Sequence, residues 1–211
     1  PPPKGRSGWP WETDGSATSR PDAEDLPTIS VVTTSYQQGQ YIEGAIRSTL
    51  AQRYPKLEYI VVDGGSTDGS VDVIRKYEDN LAYWVSEPDD GPGPALQKGW
   101  ERATGDILGS LCTDDGFYEN TLWQVAEIFA NNPDIMAVTG GIDVVDADDN
   151  MLLRRGPRNF DPVRLLGGGS APWWHCTFYR RQILDDLGFV DNSLYYIGDW
   201  YYALSIGLRY R

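Results

Sequence analysis

Cysteine is scarce in this chain, with 2 residues in 211. Two thiols are too few for a disulfide scaffold, and Cys112 and Cys176 each sit in an apolar run where a buried thiol is the ordinary reading. The expected setting is a reducing, cytoplasmic one. Positive charge is also in deficit: 18 Lys and Arg against 31 Asp and Glu leave a formal charge of −13. A polyphosphate backbone is repelled by such a surface, so nucleic acid is not an expected partner. No apolar run approaches the roughly 20 residues that a bilayer requires, so no transmembrane segment is expected. No GxGxxG follows the first apolar run and no Walker lysine motif occurs, which leaves a dinucleotide dehydrogenase and a P-loop NTPase without support. What the chain does hold is aromatic: 8 Trp and 13 Tyr are enough rings for some to line a cleft. The length fits one large α/β domain.

Residues 1–27 are rich in Pro, Gly, Ser and acidic residues, show no period, and carry neither an initiator Met nor a signal-peptide apolar core. They read as an arm. Within it, Gly8-Trp9-Pro10-Trp11 holds two Trp that are costly to leave in water, so this piece is expected to dock on the domain or on a partner. Residues 28–211 read as a single domain in two halves, 28–118 and 119–211. Ile29 to Thr33, Leu57 to Val62, Leu81 to Val85 and Asp106 to Cys112 are apolar strand runs. Between them lie helical patterns over Gly39 to Gln52, around Val71, Ile74 and Tyr77 with Thr67 or Asp68 as cap, and over Ala95 to Ala103. The resulting β-α-β-α-β-α-β order predicts a mostly parallel sheet with helices on both faces and ligands at the carboxyl ends of the strands.

The second half predicts a helix over Asn120 to Asn131, a strand over Ile135 to Val138, and a hairpin of Ile142 to Val145 with Met151 to Arg154. The acidic stretch Asp146 to Asn150 lacks the glycine and distal glutamate of an EF-hand and reads as its turn. Leu166 to Gly169 reads as a flexible joint, Cys176 to Tyr179 as a strand, and Arg181 to Leu187 as a short helix. From Trp200 an apolar helix runs uncapped into Arg211 and reads as truncated.

The predicted strand ends are polar: Thr33-Thr34-Ser35-Tyr36, Asp63-Gly64-Gly65-Ser66 and Thr113-Asp114-Asp115. Asp114 and Asp115 cannot both stay charged and unpaired in a cleft without raised pKa values or a cation between them. Oxygen ligands alone suit Mg²⁺ or Mn²⁺, with further ligands drawn from a substrate diphosphate. A solvated Asp115-Gly116 turn is the competing account. Thr34, Tyr36 and Asp63 offer hydroxyls, a ring and an acceptor for a nucleoside, and Gly64-Gly65 lets backbone approach it. Lys98 and Arg102 share a helical face that could meet phosphate, although a solvated stripe explains Arg102. Trp173 and Trp174 could stack on a sugar or fill the joint between halves. His175 could contact acceptor or phosphate, or pack as a ring.

Several motifs, in order and at matching spacing, resemble the family 2 glycosyltransferases with the GT-A fold. They are Ile29-Ser30-Val31-Val32-Thr33-Thr34-Ser35-Tyr36, Gln52-Arg53-Tyr54-Pro55, Val61-Val62-Asp63-Gly64-Gly65-Ser66-Thr67-Asp68-Gly69, Lys98-Gly99, Ala103-Thr104-Gly105-Asp106-Ile107 and Thr113-Asp114-Asp115. The resemblance implies a GT-A fold: a Rossmann-like, mostly parallel sheet with helices on both faces and a smaller, mixed acceptor-side region. It implies that Thr34, Tyr36 and Asp63 hold the nucleoside, that Asp115 is the ligand of a Mn²⁺ or Mg²⁺ ion, and that Asp114 lies nearer ribose or sugar. It also implies that the stretch from His175 to Arg181 precedes the acceptor region and that Gly198-Asp199-Trp200 carries the catalytic base, Asp199. An N-cap is the competing role for Asp199.

The resemblance further implies an inverting enzyme that moves a sugar from a nucleotide-diphosphate sugar to a saccharide or other hydroxyl acceptor, in bacterial polysaccharide or glycoconjugate synthesis. Two positions depart from the pattern. Gly64 stands where many relatives have a second acid, and Asp89-Asp90-Gly91-Pro92-Gly93-Pro94 replaces a more polar donor loop, its prolines removing amide donors. A sugar-nucleotide-binding module without activity and a nucleotidyltransferase are the alternatives. A glycoside hydrolase is a weaker option, since its two carboxylates must flank a bond several ångströms apart and adjacent Asp114 and Asp115 are poorly placed to do so.

Overall fold

In the computed structural model, which describes residues 9–11, 23–146, 149–194 and 197–210, the apolar runs become strands of one sheet. In chain order the elements are β1 (Ile29–Ser35), α1 (Ile42–Leu50), β2 (Leu57–Asp63), α2 (Ser70–Arg75), β3 (Tyr83–Ser86), α3 (Pro92–Arg102), β4 (Ile107–Cys112) and α4 (Thr121–Asn131). The second half adds β5 (Ala137–Thr139), β6 (Ile142–Val145), β7 (Met151–Arg155), α5 (Pro162–Leu166), β8 (Thr177–Arg180), α6 (Gln182–Leu187) and α7 (Gly198–Arg209). The main sheet runs β3-β2-β1-β4-β8-β5. Its first four strands are parallel, whereas β8 lies antiparallel to both β4 and β5. Strands β6 and β7 form a separate antiparallel pair. No described helix is long and apolar enough to cross a membrane.

Burial on both faces explains why the parallel strands read as continuous apolar runs. Along β1, Val31 belongs to one core with Ile42, Ile46, Ile74, Leu122 and Phe129. Its neighbour Val32 belongs to a second core with Ala95, Trp100, Tyr179, Tyr202 and Ile206. Helices α1, α2 and α4 therefore cover one face, and α3, α6 and α7 the other. The Lys98-Gly99 motif has a packing cause. A Cβ at Gly99 would lie 2.3 Å from Val32 Cγ1, so α3 can approach β1 this closely only without a side chain there.

The Ala103-Thr104-Gly105-Asp106 motif lies at the amino edge of the sheet, away from the strand ends that face the ligand side. Thr104 donates to the Glu58 carboxylate through its N–H (2.7 Å) and its hydroxyl (2.9 Å), and Ser30 Oγ donates to the same carboxylate. Gly105 N–H donates to Ser30 Oγ at 2.8 Å, and Thr28 N–H to Asp106 at 2.9 Å. Arg181 reaches across to the carbonyls of Ala103 and Gly105. This motif staples β1, β2 and β4 together at the edge opposite the polar strand ends.

The structure shifts several expected elements. Helix α3 begins at Pro92, not Ala95, because a proline is well placed in a first helical turn, where no amide donor is required. Strand β3 begins at Tyr83, and β5 at Ala137. Helix α5 was not expected; Asp161 caps it through the N–H groups of Val163 and Arg164, and the expected joint follows it at Gly167. The N-cap position of α2 is Gly69, while Asp68 accepts from Ser70. The turn between β6 and β7 is closed by Asn150 donating to Asp146, with Ala147 and Asp148 outside the described residues. The expected docking of the arm is present for Trp9, Pro10 and Trp11. The Trp9 indole donates to Phe117 O at 2.7 Å, and Arg47 stacks on Trp11 and donates to its carbonyl. The rest of residues 1–22 lies outside the described residues.

Two outcomes follow for stability. Gly99→Ala gains about 1 kcal/mol of helix propensity but overpacks against Val32 at about 1–3 kcal/mol, so its melting temperature falls by up to roughly 5 °C. A rise in thermal denaturation would show that Val32 yields freely. Burial alone would raise the Glu58 pKa, but the hydrogen bonds from Ser30, Thr104 and Gly105 outweigh it and hold the carboxyl below its ordinary 4.5. A depressed acid stabilises the fold above its unfolded pKa, so this contribution is lost as pH falls through and below 4.5. Glu58→Gln should flatten that part of a urea-unfolding profile measured from pH 7 downward.

Candidate functional site

Register places the predicted residues side by side. Thr34 is the partner of Val62 on one side and of Cys112 on the other, and Ser35 is the partner of Asp63, which pairs with Ser86. The last residues of four parallel strands therefore form one edge. Thr113, Asp114 and Asp115 continue from β4 directly beyond it.

Asp63 is wholly buried (0% exposed). Its Oδ2 accepts from Gly65 N–H (3.1 Å), Ser66 N–H (2.8 Å) and Ser86 Oγ (2.7 Å), and its Oδ1 accepts from Ser66 Oγ (2.6 Å). The carboxylate thus shapes its own loop and joins it to β3. Tyr36 is 63% exposed, an open ring above this edge. A Cβ at Gly64 would lie 3.2 Å from Tyr36 Cδ2 and 3.1 Å from Asp89 Oδ2. The space that a side chain at 64 would need is therefore occupied by the carboxylate of Asp89, a residue that the sequence reading assigned only to a stiff loop.

Asp115 faces His175. Its Oδ2 is 3.7 Å from His175 Nδ1, with the two side chains 38% and 30% exposed respectively. The Asp115 N–H donates to Cys112 O at 3.2 Å, folding the turn back over the end of β4. One ligand atom from each of Cys112, Asp115 and His175 lies within 4.8 Å of the others. Burial raises the Asp115 pKa; His175 opposes this, Asp114 adds to it, and the Cys112 thiol opposes it by hydrogen bonding, with a net upward shift. The Cys112 thiol is itself pushed up to about 12, first by the protein packed around it and then by Asp115 and Asp114. A bound dication suits this set, since the Asp115 carboxylate and the Cys112 thiolate are both disfavoured as anions in its absence. Cys112 is thus not the buried core thiol expected from its apolar run. As the last residue of its strand it turns toward the carboxylates.

The loop from residue 113 to 120 is pinned on several sides. Phe117 N–H donates to Ser48 Oγ of α1, and Phe117 O accepts from Trp9. Gln52 donates to Tyr118 O at 2.8 Å while its own Oε1 accepts from Leu122 N–H. The Tyr118 hydroxyl donates to Asp143 of β6 at 2.7 Å. Gln52 thus has a structural cause within the Gln52-Arg53-Tyr54-Pro55 motif: it fixes the position of the acidic loop.

The remaining predicted residues are more dispersed. Lys98 Nζ meets Glu87 at 2.6 Å, just before Pro88 and Asp89, and Arg102 stacks on Tyr83. Trp174 packs in the second core, stacked on Trp100 with centroids 5.4 Å apart and tilted against Tyr202 of α7. Trp173 lies under Arg158, 3.8 Å from ring centroid to guanidinium carbon. Arg158 also lines a cleft of about 320 Å³ with Thr139, Asn159, Phe160 and Arg164, which contains none of the predicted site residues. Asp199 is exposed in the first turn of α7, whose N-cap position is Ile197, and its Oδ1 accepts from the Trp200 N–H of that turn at 2.7 Å. Its helix is tied to the cluster of Cys112, Asp115 and His175 through Tyr202 and Trp174, the residue before His175. Asp89 and Cys112 were the residues that sequence reasoning missed. Only their closeness in number to Lys98 and to the Asp pair could have signalled them.

A raised acid stabilises the fold in its protonated form, and this contribution is lost as pH rises through the folded pKa. Ionised Asp115 therefore costs stability at neutral pH when no cation is present. Asp115→Asn should raise the melting temperature of the cation-free protein at pH 7.5 and remove any rise on adding Mn²⁺. In the wild type, Mn²⁺ at 100-fold over its Kd should stabilise by about 2.7 kcal/mol, several degrees in a fluorimetric melt. A variant that melts lower without cation would show that the His175 attraction dominates.

Comparison with known proteins agrees with this geometry. The model of glycosyl transferase family 2 matches residues 30–188. An uncharacterized glycosyltransferase of Mycobacterium tuberculosis is 30% identical over 86% of this chain and 70% of its own length. Another from Nostoc sp. is 29% identical over 77% of this chain, which spans only 54% of that protein. Among solved structures, a mannosyltransferase from Pyrobaculum calidifontis in complex with GDP-Man and Mn²⁺ superposes with a TM-score of 0.68 at 24% identity, covering 93% of this chain and 57% of that one. TarS of S. aureus in complex with UDP also gives 0.68, at 22% identity, over 83% of this chain and 54% of its own. At such identities the likeness is one of fold, and the fold is GT-A. The family match, the parallel sheet and the residues gathered at its carboxyl edge agree: this chain belongs to glycosyl transferase family 2.

Proposed function

We propose that this chain is the catalytic domain of a cation-dependent, inverting glycosyltransferase that moves a sugar from a nucleotide-diphosphate sugar to an acceptor hydroxyl. The observation that carries this reading is the single edge shared by Thr34, Asp63 and Cys112, with Asp115 and His175 directly beyond it. The fold neighbours, captured with GDP-Man and Mn²⁺ and with UDP, support it.

In this reading Tyr36, Thr34 and the loop shaped by Asp63 hold the nucleoside, with Asp89 beside the base. Lys98, now paired with Glu87, would exchange that partner for a donor phosphate. Asp115 and His175 hold Mn²⁺ or Mg²⁺, which when bound offsets the charge developing on the leaving diphosphate. Asp114, one residue before the cation ligand, faces the ribose or sugar. The Asp199 carboxylate takes the proton of the acceptor hydroxyl as its oxygen attacks the anomeric carbon. The bond from that carbon to the diphosphate oxygen breaks on the opposite side, which inverts the centre. Trp173, held by Arg158, offers a ring to the acceptor saccharide, whereas Trp174 serves by fixing His175.

A role in polysaccharide or glycoconjugate synthesis is supported by a Bacillus subtilis relative named for teichuronic acid biosynthesis. It is 33% identical over 54% of this chain and 46% of its own length. Both thiols are free, which supports a cytoplasmic setting.

Asp199→Asn should leave donor affinity within about 2-fold by calorimetry while cutting transfer by about 10²–10⁴, the usual worth of a general base. Asp115→Ala should lose both cation-dependent donor binding and turnover. Transfer at the wild-type rate in Asp199→Asn would remove the base assignment, and donor binding without hydrolysis or transfer in the wild type would leave only a binding module.

A further inference from the structure

Oxygen ligands alone would suit a hard cation, but the three donors brought together here are a thiol, an imidazole and a carboxylate. Sγ of Cys112, a ring nitrogen of His175 and an oxygen of Asp115 lie within 4.8 Å of one another, with His175 Nδ1 3.7 Å from Asp115 Oδ2. Donors around a tetrahedral zinc ion are about 3.3–3.6 Å apart, given metal–ligand bonds of about 2.0–2.3 Å. Side-chain movements of about 1 Å would bring this set to that spacing. Three protein ligands with a fourth position open to an outside oxygen is also the usual plan of a reactive zinc site.

The three donors are held by separate parts of the fold. Cys112 ends β4, opposite Thr34. The turn that carries Asp115 is fastened to Cys112 O and, through Phe117, to Ser48. His175 sits in a short 3-10 turn whose preceding residue, Trp174, is locked between Trp100 and Tyr202. The other thiol is differently occupied. Cys176 Sγ points to Gly140 O and Trp173 O, each at 3.4 Å, and so provides an internal control.

We propose that the cation centre of this chain is a mixed sulfur, nitrogen and oxygen site in which Cys112 is a ligand, and that it selects Zn²⁺ or Co²⁺ over Mg²⁺. Thiolate and imidazole favour borderline and soft cations, and a hard, strongly hydrated ion gains little from either. Binding exchanges one proton for the metal: the Cys112 S–H bond breaks, the sulfur–metal bond forms from the same electron pair, and the proton passes to solvent. This inference rests on the glycosyltransferase reading for the purpose of the site and replaces the Mn²⁺ or Mg²⁺ of that reading with a softer cation, while the ligand set stands on its own geometry.

The test uses Co²⁺ as a spectroscopic probe of the whole chain, without sugar donor. Wild-type protein titrated with Co²⁺ should develop a near-ultraviolet sulfur-to-cobalt charge-transfer band. Equimolar Zn²⁺ should abolish it, whereas a hundredfold excess of Mg²⁺ should not. Cys112→Ser, which keeps size and polarity, should lose the band and bind Zn²⁺ at least about 10-fold more weakly, with its melting temperature unchanged. Cys176→Ser should keep the band. Its absence in the wild type, its persistence in Cys112→Ser, its loss in Cys176→Ser alone, or displacement of Co²⁺ by Mg²⁺ would each overturn the proposal. Failure of this inference and of the broader reading can be told apart. Sugar transfer supported by Mg²⁺ with no cobalt band removes only the mixed-ligand site, while an intact band in a protein that neither binds nor turns over any sugar nucleotide removes only the glycosyltransferase reading.

Discussion

Parallel pairing of β1 between β2 and β4 is the constraint on which the rest depends, because it fixes which residues end their strands together. With Thr34 beside Cys112 and Ser35 beside Asp63, three segments separated by dozens of residues arrive at one edge in a set register. A shift of one residue in any pairing would send alternate side chains to the wrong face and disperse the group. That register is held by burial on both faces, since β1 alone sends Val31 into one core and Val32 into the other. Ligands at the carboxyl edge of such a sheet follow from the same geometry.

The two edges of the sheet do different work. At the amino edge, Ser30, Glu58, Thr104 and Gly105 exchange hydrogen bonds that join β1, β2 and the entry to β4. At the carboxyl edge the polar groups are only partly satisfied among themselves. Asp115 is ionised at a cost, with Asp114 next to it and burial against it, and the nearby thiol is also held in its neutral form. Groups that the fold destabilises as anions are what a cation relieves, so in the proposed reading the site exchanges some stability for ligand affinity. The surroundings supply the rigidity that the site itself lacks: Gln52 and Ser48 hold the acidic loop from α1, and Trp9 bolts it from the arm.

Specific departures from the family pattern have structural answers. Gly64 leaves room that Asp89 fills, so an acidic oxygen stands beside Tyr36 although it comes from another loop. The prolines around Gly91 open α3 instead of merely stiffening a turn, because the first helical residue has no use for its amide proton. The paired tryptophans divide their labour. Trp174 belongs to the core and positions His175, while Trp173 is held at the surface by Arg158.

The order of strands and helices was legible in the sequence because period-2 and period-3.6 patterns are local. So were the polar strand ends, since they interrupt apolar runs at Thr33, Asp63 and Thr113. Boundaries that depend on neighbours were less so: α5 rests on a cap and on contact with α7, and α7 itself begins ahead of Asp199. The separate roles of the motifs were not legible, for Thr104 and Asp63 both belong to motifs that carry the family resemblance. In space the first is a staple, and the second closes its own loop. Local chemistry alone thus determined the kind of fold and the acidic pair. Only tertiary contact decided that Cys112 and His175, 63 positions apart in number, would face Asp115, because that meeting depends on an antiparallel strand inserted beside β4 and on a tryptophan wedged in the far core.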